Sequence, residues 1–596
     1  MRLLTFYAEQ REQWGILVAS PSTGERFALI PQKFQALMQT ICSPTSSFFF
    51  QEREFWPGNH WPDTLVGFLY HEQEGMARLK KLCDFAVRYL AEQDEGFLEA
   101  CAYPLDSIQV KAPIPEPRLY WGLVQNTTSF IRNQPQRCHA NLYPQGHQRP
   151  LTCAVGAGEA VVLRPDDHRI YFNLELGVVI GKKGRDIPAE HAMEYVAGYT
   201  NVLDCARMQL FRDYNCEERR DDWDFFTAAT ASWGGKKTDT SCPMGPWLIT
   251  KEEVFNPYHL LGYTRRNGLV RDCAHTSALM LGIERTIAFY SSFATLYPGD
   301  VIHLGTIGVD GITVDIPDKD ADLGTLEGEF ETFDPLTVPL VREKALWSSA
   351  NPPANSRPAS PIVESRIAQG KDSLPSPHAF DCRRSHNFWV SYGNYRQCLE
   401  QEGLRQIADM PRFLNNPASA LGDTGQCSVA HRATNLVLSA ELCFVVKKVA
   451  YQVTPEEAPD FILGYSPMAA VSDQSIQEQI VEPATDQERC LPVVYARWGD
   501  GYNQLLETPI PWEWNPRAAM RLTVNGREYH CSVGDYLCSG PYLLSRISQY
   551  ITLLPGDVIT LGRLAETVLI PTGEEARGTL AIDGLGQVRF SFARPL

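Results

Sequence analysis

The chain has 596 residues and 71 Asp and Glu against 54 Lys and Arg, a formal charge of −17. That charge disfavours non-specific binding to nucleic acid or to an anionic membrane. Hydrophobic residues make up 44% and charged residues 21%, a globular balance that excludes a disordered chain, and at ~150 residues per domain the length allows about four units, or fewer large β-rich ones.

The first ten residues carry charge early and lack an apolar run, so no signal peptide is expected in them. No uncharged apolar stretch of about 18 residues occurs, so no transmembrane helix is expected. Sixteen cysteines are scattered without CxxC spacing. Reduced thiols in a cytoplasmic protein are the simpler expectation than a zinc site or a disulfide framework.

Residues 1–30 read as short strands. Met76, Leu79, Cys83, Ala86, Val87 and Leu90 then recur at three- and four-residue steps and predict one helix face from about 73 to 93. From Pro113 onward strand signals dominate: 160–163, 172–180, 301–304 and 336–341. Pro339 inside the last predicts an edge strand at best. Long helical patterns are few, so the expected fold is mainly β with short helices (α+β). Residues 348–377 hold six Pro and seven Ser among thirty residues and read as a linker that cannot order itself. The expected division is an N-terminal α/β cap at 1–112, a first lobe at 113–347, the linker, and a second lobe at 378–596.

The second lobe repeats the first. Residues 295–305 and 552–562 share nine of eleven identities, differing only at Tyr297/Leu554 and His303/Thr560. Glu175-Leu-Gly-Val-Val-Ile-Gly-Lys182 parallels Glu441-Leu-Cys-Phe-Val-Val-Lys-Lys448. Trp233 and Trp247 are spaced like Trp498 and Trp512. Three matches in one order indicate duplication.

If 172–180 is a strand, Asn173 and Glu175 share the face opposite Phe172, Leu174 and Leu176. Asp204, Lys236 and Thr276 follow. Oxygen donors of this kind suit a hard cation such as Mg²⁺ or Mn²⁺, although a lone glutamate on a strand face is more often a solvated edge residue. Phosphate-binding glycine loops and nucleophile elbows are absent, and no cysteine has a supporting His context.

The ordered motifs Glu175–Lys182, Val196-Ala-Gly-Tyr-Thr…Asp204, Gly235-Lys236…Asp239-Thr240…Pro243-Met-Gly-Pro-Trp247, Thr276-Ser277 and Thr295–Thr306 resemble the fumarylacetoacetate hydrolase family. The resemblance covers 115–345 and extends more faintly over 380–596, in the manner of the family's tandem isomerase/decarboxylase members. It implies a duplicated mixed β-sandwich roll. It also implies a divalent ion held by Asn173, Glu175 and Asp204, which would stabilise an enolate. Lys236 would stabilise negative charge, Thr276 would hold a substrate carboxylate, and Arg207 and Gln209 fall near a family Arg and Gln at shortened spacing.

Two departures stand out. Asn173 occupies the first position of a Glu-x-Glu pair, which removes one negative charge and lowers the expected metal affinity. The lid positions that would carry a His and a Glu fall near Thr128 and Ile131, neither of which takes a proton at neutral pH. His139 and His147 in the following loop are possible substitutes, with surface histidines the simpler expectation. In the second lobe an ungapped alignment puts Ser439, Ala470, Gly501 and Gln504 at Asn173, Asp204, Lys236 and Asp239. Only Glu441 remains, so that lobe is expected to be non-catalytic and to pair its sheet with the first.

The expected function is metal-dependent lyase, isomerase or hydrolase chemistry on a 2-oxo or 1,3-dicarbonyl acid, by decarboxylation, tautomerisation, dehydration or C–C cleavage. The alternative is an inactive binding or scaffolding member of the family. A small oxo-acid, neither nucleic acid nor membrane, is the expected partner, with the two lobes paired within the chain and a homodimer equally open.

Overall fold

The computed structural model describes residues 1–41, 56–57, 60–92, 96–124, 126–128, 144–165, 167–207, 236–308, 312–316, 322–343, 361–395, 412–423, 426–429, 433–475, 494–563, 567–570 and 574–593. Each lobe pairs a large sheet with a five-stranded one. The first large sheet has twelve strands. Its centre runs Met244–Thr250, Val196–Arg207, Arg169–Ile180, Val301–Thr306, Tyr120–Leu123. The N-terminal strands Arg2–Ala8, Arg11–Ala19 and Arg26–Leu29 extend it, because Arg2 and Leu3 pair with Ile249 and Leu248. The second lobe repeats the arrangement with eight strands around Leu436–Val446 and Ile462–Asp473.

The apolar residues Phe172, Leu174, Leu176, Val178 and Ile180 are all buried on one face of their strand, as the alternation requires. Asn173 and Glu175 on the other face are buried as well. The glutamate therefore lies in the middle of a sheet rather than on a solvated edge. The expected N-terminal helix is present as Glu72–Glu92, with Leu79, Leu82, Phe85, Ala86 and Leu90 buried and Val87 exposed. None of the described helices is long and apolar enough to cross a membrane.

Two expectations change. Leu336–Arg342 is an internal strand, between Thr325–Phe330 and Val161–Leu163. Leu340 donates its N–H to Gly324 on one side, so Pro339, whose N–H is missing, faces the other side, where pairing with Val161–Leu163 begins only at Leu340. The proline is tolerated because no ladder bond is asked of it. Within the expected linker, Pro361–Ala368 is a helix. It is held by Arg366, 7% exposed, in an ion pair with Glu116 at 2.9 Å. Lys371, just beyond the helix, pairs with the same Glu116 at 3.5 Å, so contacts from a distant part of the chain accompany order that composition alone did not predict.

Strand register gives the correspondence between lobes. Asn173 lies opposite Asp204, and Ser439 opposite Ala470. Cys205 bonds the carbonyl of Ser241, and its counterpart Val471 bonds that of Tyr502. Thr240 bonds Thr152, and Gly501 bonds Ser419. These equivalences place Arg497 at the Lys236 position and Asp500 at the Asp239 position, in place of Gly501 and Gln504. The matching Trp spacing is a coincidence: Tyr199 sits beside Ile249 and Tyr465 beside Ile510, which leaves Trp512 out of step with Trp247.

The lobes are joined by a reciprocal clasp. Thr552 donates its N–H at 3.1 Å and its hydroxyl at 2.5 Å to Asp239. Thr295 donates its N–H at 2.9 Å and its hydroxyl to Asp500. Tyr495 and Trp498 of the second lobe enter the first lobe's core beside Trp121, Tyr290 and Phe293.

In both lobes the Pro-Gly-Asp turn ends in a buried carboxyl. Asp300 accepts from Leu119 and Tyr297 N–H, and Asp557 from Asn387 and Leu554 N–H. Burial pushes each up to about 7, above the unfolded value of ~3.9. Each group therefore gains affinity for a proton on folding. Its contribution is full below the unfolded value and is lost as pH rises through about 7, on the order of 2 kcal/mol per site between pH ~5 and ~8. Thermal melts at those two pH values are expected to show a larger fall for the wild type than for the Asp300→Asn/Asp557→Asn double variant. Equal falls would show that neither carboxyl is responsible.

Candidate active site

The strand pair Arg169–Ile180 and Val196–Arg207 brings Asn173, Glu175 and Asp204 to one face, with Asp204 directly opposite Asn173. Glu175 and Asp204 are each 1% exposed and Asn173 is 2% exposed. Buried carboxylates need partners, and both have them.

Asp204 is held by two cations. The Arg149 guanidinium donates to Oδ1 and Lys236 Nζ donates to Oδ2. Arg149 is fully buried and also donates to the carbonyl of Lys236. Its backbone N–H is fixed on Tyr120 O at 2.7 Å, one residue past the strand Gly146–Gln148. Lys236 retains 16% side-chain exposure, and its ammonium also lies 5.4 Å from the Tyr171 ring centre.

Glu175 is held by His303 Nδ1, by Gly305 N–H at 3.0 Å and by the Thr306 hydroxyl at 3.4 Å. Burial would push this carboxyl up, but His303, Lys236 and Arg149 outweigh it and hold Glu175 below the usual value. Burial lowers His303 in turn, against the pull of Glu175. An ionised Glu175 accepts the hydrogen of His303 Nδ1. His303 Nε2 is buried without a partner. The ring lies over Gly122, where an added Cβ would stand 2.0 Å from it, so glycine is required there.

His147 is a correction. It is 2% exposed and lies in the strand Gly146–Gln148 rather than on a loop surface. Both ring nitrogens lack partners, and its ring centre is 6.3 Å from that of His303. Burial and then Arg149 hold it well below the ordinary histidine value. His139, Ile131 and Gln209 lie outside the described residues, and Thr128 is exposed.

The other predicted residues are elsewhere. Arg207 lies in a buried pair with Asp167, Nε to Oδ2 at 2.5 Å and a second bond at 2.9 Å. That bidentate grip engages Nε and one terminal nitrogen with Asp167. Thr276 is fully buried and its hydroxyl accepts the Leu260 N–H at 2.9 Å. Sequence reasoning missed Arg149 and His303. Arg149 falls in none of the recognised motifs. His303 had a signal, being one of the two differences in the eleven-residue repeat.

The second lobe answers in reduced form. Glu441 accepts from Arg497 at 2.8 and 3.2 Å and from the Thr560 hydroxyl, and Ser439 replaces Asn173. Arg497 here stands where Lys236 stands in the first lobe, so one carboxylate and one cation remain, not a carboxylate alone.

As arranged, the donors do not fit a divalent cation. Both Asp204 oxygens are bonded to cationic groups, and the Glu175 and Asp204 charges are balanced by Arg149 and Lys236. The third donor, Asn173, is a neutral amide whose Nδ2 has no partner. Among the described residues no group of three or more His, Cys, Asp or Glu is placed to hold a metal. An added dication would face two cations, one of them fully buried, without a compensating anion.

The family model described as "Fumarylacetoacetate (FAA) hydrolase C-terminal" matches residues 120–334 and again 387–593. The chain is 25% identical over 444 residues to the 4-hydroxyphenylacetate degradation bifunctional isomerase/decarboxylase of Escherichia coli, covering 74% of this chain and 88% of the relative. It is 40% identical over 152 residues to the maleylpyruvate hydrolase of Aquipseudomonas alcaligenes, covering 25% and 46%. It is also 40% identical over 152 residues to a human mitochondrial oxaloacetate tautomerase, covering 26% and 44%. A solved maleylpyruvate hydrolase from Sphingobium sp. SYK-6, in complex with manganese(II) and pyruvate, covers 57% of this chain and 99% of its own at 21% identity, with a TM-score of 0.38.

Removing one partner of a buried ion pair costs about 3–5 kcal/mol. Arg207→Ala is therefore expected to lower unfolding stability by about that amount in denaturant titration. A variant of unchanged stability would return Arg207 to the list of substrate-facing residues.

Proposed function

The chain belongs to the fumarylacetoacetate hydrolase family, and we propose that it is an enzyme of the isomerase, decarboxylase and hydrolase kind seen among its relatives. Its substrate would be a 2-oxo or 1,3-dicarbonyl acid, and the shared intermediate an enolate. The observation that carries this reading is the Lys236 ammonium, part-exposed and fixed on the buried Asp204. An enolate places negative charge on the former carbonyl oxygen, and a preorganised cation at that oxygen stabilises it at no reorganisation cost. Asp204 orients Lys236, and Arg149 keeps Asp204 from presenting bare negative charge to the substrate.

Proton movement needs a second group. Since the resemblance puts the expected lid histidine near Thr128, this role is assigned to the buried Glu175–His303 pair, in which Glu175 orients the ring and leaves Nε2 unbonded. In a tautomerisation a proton leaves the carbon beside the carbonyl, the C–H pair becomes the C=C bond, the C=O π pair moves onto the 2-oxo oxygen, and that oxygen takes up a proton. No oxidant or water is consumed. Decarboxylation gives the same kind of enolate when the departing carboxylate is β to the 2-oxo group: its C–C pair becomes the C=C bond and carbon dioxide leaves. The family's divalent Lewis acid has no place in these steps, because the donors do not fit it.

A second reading is favoured by one observation: both Asp204 oxygens are already bonded within the protein, as in a member that binds without turnover. Assays of oxaloacetate tautomerisation, 2-oxo acid decarboxylation and maleylpyruvate hydrolysis separate the two. We expect turnover in at least one, with Lys236→Ala lowering kcat/KM by ~100-fold or more. Folded protein that turns over none of them supports the binding reading, as does activity that Lys236→Ala leaves unchanged.

A further inference from the structure

The misfit between the site and a divalent ion points to a specific residue. Arg149 is the fully buried cation of the cluster, and a guanidinium stays protonated at any ordinary pH. One arm holds Asp204 and the other holds the Lys236 carbonyl, while Nε remains unpartnered. The guanidinium is thus bonded to the carboxylate that the family resemblance assigns to the ion.

The second lobe acts as an internal control. Gln148 lies opposite Trp121, and Asn415 opposite Trp389, so Arg149 corresponds to Asn416. Where Asp204 is replaced by Ala470, the arginine is replaced by a neutral amide. The charges leave together: two carboxylates and two cations in one lobe, Glu441 and Arg497 in the other. In each lobe the carboxylates of this sheet face are paired by cations of the same lobe.

We propose that Arg149 takes the place of the divalent cation, its guanidinium serving as the fixed positive charge of the first lobe and excluding Mg²⁺ or Mn²⁺ from Asp204. The inference concerns the same site as the functional reading above, but its test needs no substrate, so the two fail separately.

The test is Mn²⁺ titration of the full chain, followed by calorimetry and by loss of the free-ion electron paramagnetic resonance signal. Wild type and Arg149→Lys, which keeps the charge, are expected to show no saturable binding up to ~1 mM, the weak end of protein sites for hard cations. Arg149→Gln is expected to gain one site per chain, at least ~10-fold tighter, and Arg149→Gln/Asp204→Asn to lose it again. Saturable binding of one Mn²⁺ by the wild type overturns the proposal even if no variant folds. So does an Arg149→Gln variant, shown folded by its melting transition, that binds no better than the wild type.

Discussion

Two carboxylates inside a sheet are the constraint on which the first lobe depends. An ionised carboxylate left alone in such a place costs several kcal/mol, and the chain meets this with Arg149 and Lys236 on Asp204 and with His303 and the Gly305 N–H on Glu175. At an effective dielectric near 20, two unit charges at ~4 Å interact by about 4 kcal/mol, so the pairing decides which additional ions the site tolerates. It also determines the local geometry. Gly122 must lack a side chain for the His303 ring to reach Glu175, and Arg149 must leave its strand at the point where its N–H caps Tyr120.

The duplication shows the same rule in a second solution. The second lobe keeps Glu441 and meets it with Arg497 and Thr560. It keeps a large sheet and the Pro-Gly-Asp turn, and it sends Tyr495 and Trp498 into its partner's core. The aspartates Asp239 and Asp500 exchange threonines across the boundary, so each lobe completes turns of the other. A lobe that has lost its second carboxylate is therefore still needed for the first to be whole.

Much of the fold was legible in the sequence because duplication and period-two alternation are local signals. The strand 172–180, the helix near 73–93 and the repeated turn could all be read directly. Pro339 and the helix Pro361–Ala368 could not, since their fate depends on where a neighbouring strand begins and on one distant charge, Glu116. At the site, Glu175, Asp204 and Lys236 were found through ordered motifs, and the structure gathers them. Arg149 escaped, and the burial of His147 was not foreseen, because their placement is created by folding: the short strand Gly146–Gln148 and the residue after it bring them from far along the chain to the carboxylate face. Arg497 escaped because an ungapped alignment followed two tryptophans whose spacing has no structural counterpart.

The central claim is that protein cations, Arg149 foremost, occupy the charge position beside Asp204. It is tested most directly by a crystal structure of the chain grown with excess Mn²⁺, using anomalous scattering at the manganese edge. The account predicts guanidinium density on Asp204 and no anomalous peak between Asn173, Glu175 and Asp204. A peak bound to Glu175 and Asp204, with Arg149 turned away, would contradict it.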